Sequence, residues 1–370
     1  MNNSPITNLE IDYVEQYVPM AKPLAYWHSH ALGFKVQAYK GVENGHPGMA
    51  SYLLSSNNIR LVFTAAYPSH KHTAPEEISN FINNHHAGIK RIVFRTASVE
   101  KAFSQALQNG AIPVQFPVRH SDEQGYVEQA AIRLYEHSEI VFLDRSHYNG
   151  VFLPGYKQVT PANSNADELF EEIDHIAAEL RMNEINFWTE YIHKAIGTSM
   201  VQQITRSADN KTGMLLNISQ SPGKELTMVM AEPEAANGKS KVQQNIDNYG
   251  PGIHHLAFST KDIIATVKKL KEQEVELVSF PDSYYELLRA DPDLSHFDID
   301  ELQQQGILVD REDDTFLLQK FVKPYGDRPF FIYEIVQRIN GYNGFALKNI
   351  NVLKKAEEME VMKAVVVEAD

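Results

Sequence analysis

PFFIYEIVQR, residues 329–338, carries an acid inside what otherwise reads as an apolar strand. Successive side chains of a strand point to opposite faces. Ile332, Glu334 and Val336 therefore share one face, and Phe331, Tyr333 and Ile335 share the other. Both faces are largely apolar, which predicts burial on both sides. A carboxylate at Glu334 would cost several kcal/mol there unless it is paired or binds a metal. Two other strand-like segments offer partners: EEIDHIAAEL (171–180) with His175 and GPGIHHLAFST (250–260) with His255. Two neutral imidazoles and one carboxylate form the facial set that holds non-haem Fe(II) and leaves coordination positions open.

The same segments recur earlier in the chain. IDYVEQYV begins at Ile11 as IDHIAAEL begins at Ile173. GIKRIVFRTASVEKAFSQALQNGA begins at Gly88 as GIHHLAFSTKDIIATVKKLKEQEV begins at Gly252; each reads as a strand, a Ser/Thr and acidic helix start, an amphipathic helix and a turn. A looser pair is IVFLDR ending at Arg145 and FIYEIVQR ending at Arg338. The chain thus reads as two related halves, residues 1–158 and 159–370, joined through the polar stretch GYKQVTPANSNADELFEE. Strands cluster and helices are few, which predicts an α+β fold with curved, mixed sheets rather than a doubly wound parallel sheet. Tyr13, Arg91 and Asp144 stand in the first half where His175, His255 and Glu334 stand in the second. Only the second half is then expected to hold a metal.

Composition narrows the chemistry. Among 370 residues there is no cysteine, which removes thiolate ligands, thiol catalysis and disulfides and leaves His, Asp and Glu to hold any metal. The net charge of −14, with no basic block, argues against nucleic acid and anionic membranes as partners. No apolar run approaches the roughly 20 residues of a membrane span. The N-terminal MNNSPITNLEIDYVEQY lacks a secretory pattern. The expectation is a cytoplasmic homo-oligomeric enzyme acting on a small molecule.

The chain resembles 4-hydroxyphenylpyruvate dioxygenase and the related hydroxymandelate synthase. The carriers are IDH at 173–175, GIHHLAFSTKDI at 252–263, GILVDREDDTFLLQKFVKPYGDRPFFIYEIVQR at 306–338 and GFALKNINVLKKAEEME at 344–360. DYVEQYV, GFKVQAYKG and VFLPGY extend the likeness into the first half. The resemblance implies the vicinal oxygen chelate fold, with tandem βαβββ modules, two per half, each half closing a sheet around a cavity. It implies Fe(II) as cofactor, with His175, His255 and Glu334 as ligands. It further implies a 2-oxo acid substrate that chelates the metal, loses CO2 on reaction with O2 and is oxygenated on its own side chain. Attack on the ring would give a homogentisate-type product, and benzylic attack a mandelate-type one. A non-catalytic, ligand-binding member of the fold is the alternative. The segment from Gly344 to Met359 reads as an amphipathic helix, with Ile350, Leu353 and Ala356 on one side, which in the family closes over the active site.

The resemblance also assigns the pocket. Gln319 and Asn349 match family positions and are expected to take part in catalysis; Phe321 and Phe345 match pocket positions. Other pocket positions differ. The family's serine is Leu216, and the asparagine of its Pro-hydrophobic-Asn-Glu-Pro stretch is Ala231, with Val229 in place of the proline. The glutamine before the second iron histidine is His254, a further glutamine is Lys241, and the second lid aromatic is Ile350. Removing polar partners for a phenol should shift the preference away from 4-hydroxyphenylpyruvate. His254, adjacent to His255 in a regular strand, should face the other way.

The remaining histidines read as a solvated surface cluster or as helix residues unable to share a metal. His70, His72, His85 and His86 lie in polar, loop-like sequence. His28 and His30 in the helix KPLAYWHSHALGF lie on different helix faces. DPDLSHFDIDELQQQ (291–305) reads as a loop and a capped helix, since it lacks the glycine and terminal glutamate of a calcium loop.

Overall fold

The computed structural model describes residues 9–67, 75–160, 167–205, 213–234, 240–346, 349, 352–353 and 355–356. The first half runs β1 (Ile11–Tyr17), α1 (Ala21–Ala31), β2 (Lys35–Lys40), β3 (Met49–Ser56) and β4 (Ile59–Ala66), one βαβββ unit. After α2 (Glu76–His85) a second unit follows: β5 (Gly88–Arg95), α3 (Val99–Gln108), β6 (Pro113–Asp122), β7 (Gly125–Leu134) and β8 (Ser138–Asp144). A short β9 (Lys157–Gln158) closes the edge. The second half repeats the plan with β10 (Ile173–Glu179), α4 (Ile185–Ile196), β11 (Ser199–Ile204), β12 (Met214–Gln220) and β13 (Thr227–Pro233). It continues through α5 (Lys241–Tyr249) to β14 (Gly252–Ser259), α6 (Ile263–Glu272), α7 (Asp282–Arg289), α8 (Ile299–Gln305), β15 (Leu308–Glu312), β16 (Thr315–Phe321) and β17 (Ile332–Ile339).

Each half forms one mixed sheet: β6-β7-β8-β5-β1-β4-β3-β2-β9 and β11-β12-β13-β10-β14-β17-β16-β15. The first strands of the two units pair antiparallel at the centre, β1 with β5 and β10 with β14. This is the expected α+β architecture of tandem βαβββ modules. Helices start where the sequence supplies caps: Ser98 accepts from the Lys101 N–H, Asp262 from that of Ala265 and Asp298 from that of Glu301. The last of these is the capped helix expected within residues 291–305.

The apolar core is continuous across the halves. The Phe34 ring lies 6.0 Å from that of Phe170 and 5.8 Å from that of Phe258. His28 is fully buried in this core, its Nδ1 at 2.8 Å from the Leu24 carbonyl and its Nε2 at 2.8 Å from the Tyr333 hydroxyl. It is a satisfied structural histidine. His30 is exposed and stacks on Tyr26. His85 stacks on His137, while His70 and His72 lie outside the described residues.

The central strand pairs are not regular. In β10–β14 the register shifts at Asp174 and again at His254; in β1–β5 it shifts at the matching Asp12 and Lys90. Both halves therefore carry the same two bulges, and bulges re-aim the side chains beside them.

Candidate metal centre

β10, β14 and β17 lie side by side, each contributing one ligand-type residue. Ala257 pairs with both His175 and Glu334, and so stands between them in the sheet. His175 Nε2 lies 3.2 Å and His255 Nε2 3.3 Å from the same atom, Glu334 Oε2. The three ligand atoms fall within 4.8 Å of one another. Glu334 is 2 % exposed. Burial alone would raise its carboxyl, but the two facing imidazoles outweigh this and hold it down to about 2. Burial would lower His175, yet Glu334 and Asp174 raise it to about 9. Burial dominates at His255 and pushes it down. The cluster thus draws a positive charge to the point where the three atoms meet, which is the electrostatic demand that a divalent cation meets.

Supporting contacts fix the ligands in place. Asp174 Oδ1 accepts from His175 Nδ1 at 2.8 Å, which leaves Nε2 free to coordinate. Arg338 clamps the same carboxylate, Nε to Oδ2 at 2.6 Å and Nη2 to Oδ1 at 2.8 Å. Burial opposes the Asp174 charge, but Arg338 and His175 overcome it and keep the carboxyl well below the usual range. Gln319 Nε2 donates to Glu334 Oε1 at 2.7 Å, and Asn349 Nδ2 donates to Gln319 Oε1 at 3.3 Å. Asn349 in turn accepts from the Tyr284 hydroxyl at 2.8 Å.

The cluster opens into a cavity of about 250 Å³. Leu216, Ala231, His254, Gln319, Phe321, Phe345 and Asn349 all line it with the three ligand residues. Lys241 does not: it is exposed at the first residue of α5, and its neighbour Val242 lines the wall instead. Ile350 lies outside the described residues. Of the expected C-terminal helix, Asn349, Val352, Leu353, Lys355 and Ala356 are helical; Leu353 lines the cavity, and Ala356 is buried with its carbonyl accepting from Ser283 Oγ at 3.0 Å.

Two further expectations are corrected. His254 does not face away from His255. It is the bulge residue of β14, unpaired with β10, and its Nδ1 lies 2.9 Å from that of His255 while it lines the same cavity. The counterpart of Glu334 in the first half is not Asp144. Val93 matches Ala257 in the central pairing and faces Val141, so Val141 takes the place of Glu334. Arg145 then matches Arg338, and it reaches Asp12 at 3.4 Å just as Arg338 reaches Asp174.

The first half has a larger cavity, about 600 Å³, lined by Tyr13, Glu15, Arg91 and Tyr156 among others. Size does not make it the metal centre. Arg91 fills the His255 position with a cation already paired to Glu15 at 3.0 Å, Glu77 at 2.8 Å and Glu139 at 3.1 Å.

Sequence reasoning missed Glu179, which also lines the second-half cavity. Its signal was available: four residues beyond His175 on one strand, it falls on the same face by simple alternation. It also missed the Asp174–Arg338 clamp, although Asp and Arg recur at both repeats.

Residues 10–148 and 172–297 each match the glyoxalase/bleomycin resistance protein/dioxygenase superfamily. The chain is 30% identical to the 4-hydroxyphenylpyruvate dioxygenase of Aspergillus fumigatus over 94% of this chain and 92% of that one. It is 31% identical to the enzyme of that name from Yarrowia lipolytica over 95% and 92%. A mutant of 4-hydroxymandelate synthase from Streptomyces coelicolor shares the fold, with a TM-score of 0.80 at 24% identity over 96% of this chain and 99% of that one.

Proposed function

The chain belongs to the glyoxalase/bleomycin resistance protein/dioxygenase superfamily and, within it, to the 4-hydroxyphenylpyruvate dioxygenases, and on that footing we propose that it is an Fe(II) enzyme that oxidatively decarboxylates an arylpyruvate-like 2-oxo acid. The observation that carries this reading is the convergence of His175, His255 and Glu334 in the wall of a largely apolar cavity. In this reading residues 1–158 form a metal-free domain and residues 159–370 the catalytic one.

Bound to these three residues, Fe(II) would supply open coordination positions and the redox chemistry that dioxygen requires. The chain's own residues do the rest. The Asp174–Arg338 clamp keeps the His175 Nε2 lone pair turned inward. Gln319 holds the Glu334 carboxylate in one orientation and is itself held by Asn349, so a keto acid seated there meets a fixed amide edge. Leu216, Val229, Ala231, Phe321 and Phe345 exclude water and orient the side chain. One oxygen atom ends in the carboxylate left by loss of CO2 and the other on the side chain, so no external reductant is needed.

Leu216 and Ala231 stand directly opposite each other across β12 and β13. A phenol laid against this pair finds no hydrogen-bond partner there, which supports a substrate other than 4-hydroxyphenylpyruvate. Oxygen uptake by the Fe(II)-loaded protein across a panel of 2-oxo acids tests both parts. Uptake with none of them refutes the activity; turnover of 4-hydroxyphenylpyruvate far above every other acid refutes the altered preference. A cytoplasmic homo-oligomer without nucleic-acid or membrane partners belongs to the same reading; the acidic charge speaks against nucleic acid and anionic membranes as partners, and among the described residues no helix is long and apolar enough to cross a membrane.

A further inference from the structure

Glu179 is an unexplained acid in an apolar wall. It is 7 % exposed and lines the same cavity as the metal-ligand residues. One oxygen, Oε1, accepts from Asn245 Nδ2 at 3.1 Å, and Asn245 is itself buried. The other, Oε2, is buried without a hydrogen-bond partner among the described residues. His254 Nε2 approaches Oε1 only to 3.9 Å, too far for a hydrogen bond. An orphaned buried carboxylate oxygen is costly, and in a binding cavity such a group is most simply completed by ligand. Burial pushes the carboxyl up to about 7, offset only in part by Asn245 and Lys241.

Its position in the sheet says which part of a ligand would reach it. Glu179 pairs with Ala231, and Ala231 pairs with Leu216, so the three form one row across β10, β13 and β12. That row holds the two positions whose side chains have become apolar. Four residues along β10 separate Glu179 from His175, roughly 13 Å of extended chain. A 2-oxo acid anchored beside His175 and extended along β10 brings the far end of its side chain toward this row.

We propose that Glu179 is the specificity-determining residue of the pocket, accepting through Oε2 a hydrogen bond from a hydroxyl or amino group at the end of the substrate side chain remote from the keto acid. This rests on the 2-oxo acid reading above. The apolar residues at Leu216 and Ala231 then do not make the pocket indifferent to polarity; they leave Glu179 on β10 as the acceptor of this row in place of polar groups on β12 and β13. Asn245 is the positioning residue that leaves Oε2 as the free oxygen.

The test compares phenylpyruvate, 4-hydroxyphenylpyruvate and 4-aminophenylpyruvate, by calorimetric binding to the Zn(II)-loaded chain and by oxygen uptake with Fe(II). 4-Aminophenylpyruvate should bind wild type roughly ten- to a hundredfold tighter than phenylpyruvate, with 4-hydroxyphenylpyruvate binding no tighter than the amine. Glu179→Leu should erase that advantage while phenylpyruvate binding stays within about threefold. Glu179→Gln, which keeps an acceptor and guards against misfolding of the leucine variant, should retain part of it. Equal binding of all three acids to wild type, or an advantage that survives in Glu179→Leu, overturns the inference alone. A folded, metal-loaded chain that neither binds these acids nor takes up oxygen with them overturns it together with the proposed function.

Discussion

Asp174 and His175, neighbours in sequence, are locked to each other by a 2.8 Å hydrogen bond from His175 Nδ1 to Asp174 Oδ1. Adjacent strand residues normally point to opposite faces, and the bulge at Asp174 makes this contact possible. Because Arg338 holds the same carboxylate bidentately, the imidazole has one tautomer and one orientation available. Asp174→Asn should therefore weaken divalent metal binding by roughly ten- to a hundredfold with the fold intact. Titration of the metal-free protein with Co(II), followed by its visible spectrum, reads this directly; unchanged affinity would remove the clamp from the metal site.

Removing a ligand should be more severe than loosening one. Purified wild type is expected to retain about one iron per chain after anaerobic loading and desalting, and His175→Ala or Glu334→Ala to retain essentially none. Elemental analysis beside circular dichroism separates metal loss from unfolding. Stoichiometric iron in either variant would mean that the three residues are not the ligands.

Gln319 connects the metal site to the C-terminal segment, donating to Glu334 and accepting from Asn349. Gln319→Leu fits the volume but leaves Glu334 Oε1 and Asn349 Nδ2 each short of a partner. A stability loss of about 1–3 kcal/mol is expected from a buried polar group left unpaired. Urea unfolding of the metal-free protein measures it; a neutral result would mean that water replaces the amide.

Glu179 makes stability depend on pH in a calculable direction. Its carboxyl rises from the ordinary 4.5 to about 7 in the fold, so the folded state binds the proton more tightly than the unfolded chain does. That contribution is fully present below pH 4.5 and is lost as pH rises through about 7, a change of about 3 kcal/mol over the window. Glu179→Gln cannot titrate. It should gain on wild type between pH 5 and pH 8, as measured by chemical unfolding at both. A constant difference between the two proteins would show that the acid is not desolvated.

Leu216→Ser combined with Ala231→Asn restores polar partners across β12 and β13. Their joint effect should be a raised kcat/KM for 4-hydroxyphenylpyruvate relative to phenylpyruvate by roughly tenfold, the two residues being close enough to couple. A ratio that stays put in steady-state oxygen uptake would mean that this row does not meet the substrate ring.

The sequence by itself determined the two related halves, the α+β class and the candidate ligand set; the βαβββ plan entered through the family resemblance. Alternation in PFFIYEIVQR marks Glu334 as a buried acid whatever surrounds it, and the repeat shows that only one half keeps imidazoles in matching strands. Those are local properties, set by the period of a strand and by residue type. The tertiary structure decided what depends on register. The bulge at His254 turns that residue into the cavity beside His255, against simple alternation. The pairing of β5 with β8 puts Val141, not Asp144, at the place of Glu334. Strand neighbours far apart in sequence bring Arg338 to Asp174 and align Glu179 with Ala231 and Leu216. A one-residue shift in pairing reverses which way a side chain points, and no count along a single strand can reveal it. The candidate ligand triad was therefore readable from residue types and spacing, whereas the wall of the cavity beside it was fixed by which strands met and where they slipped.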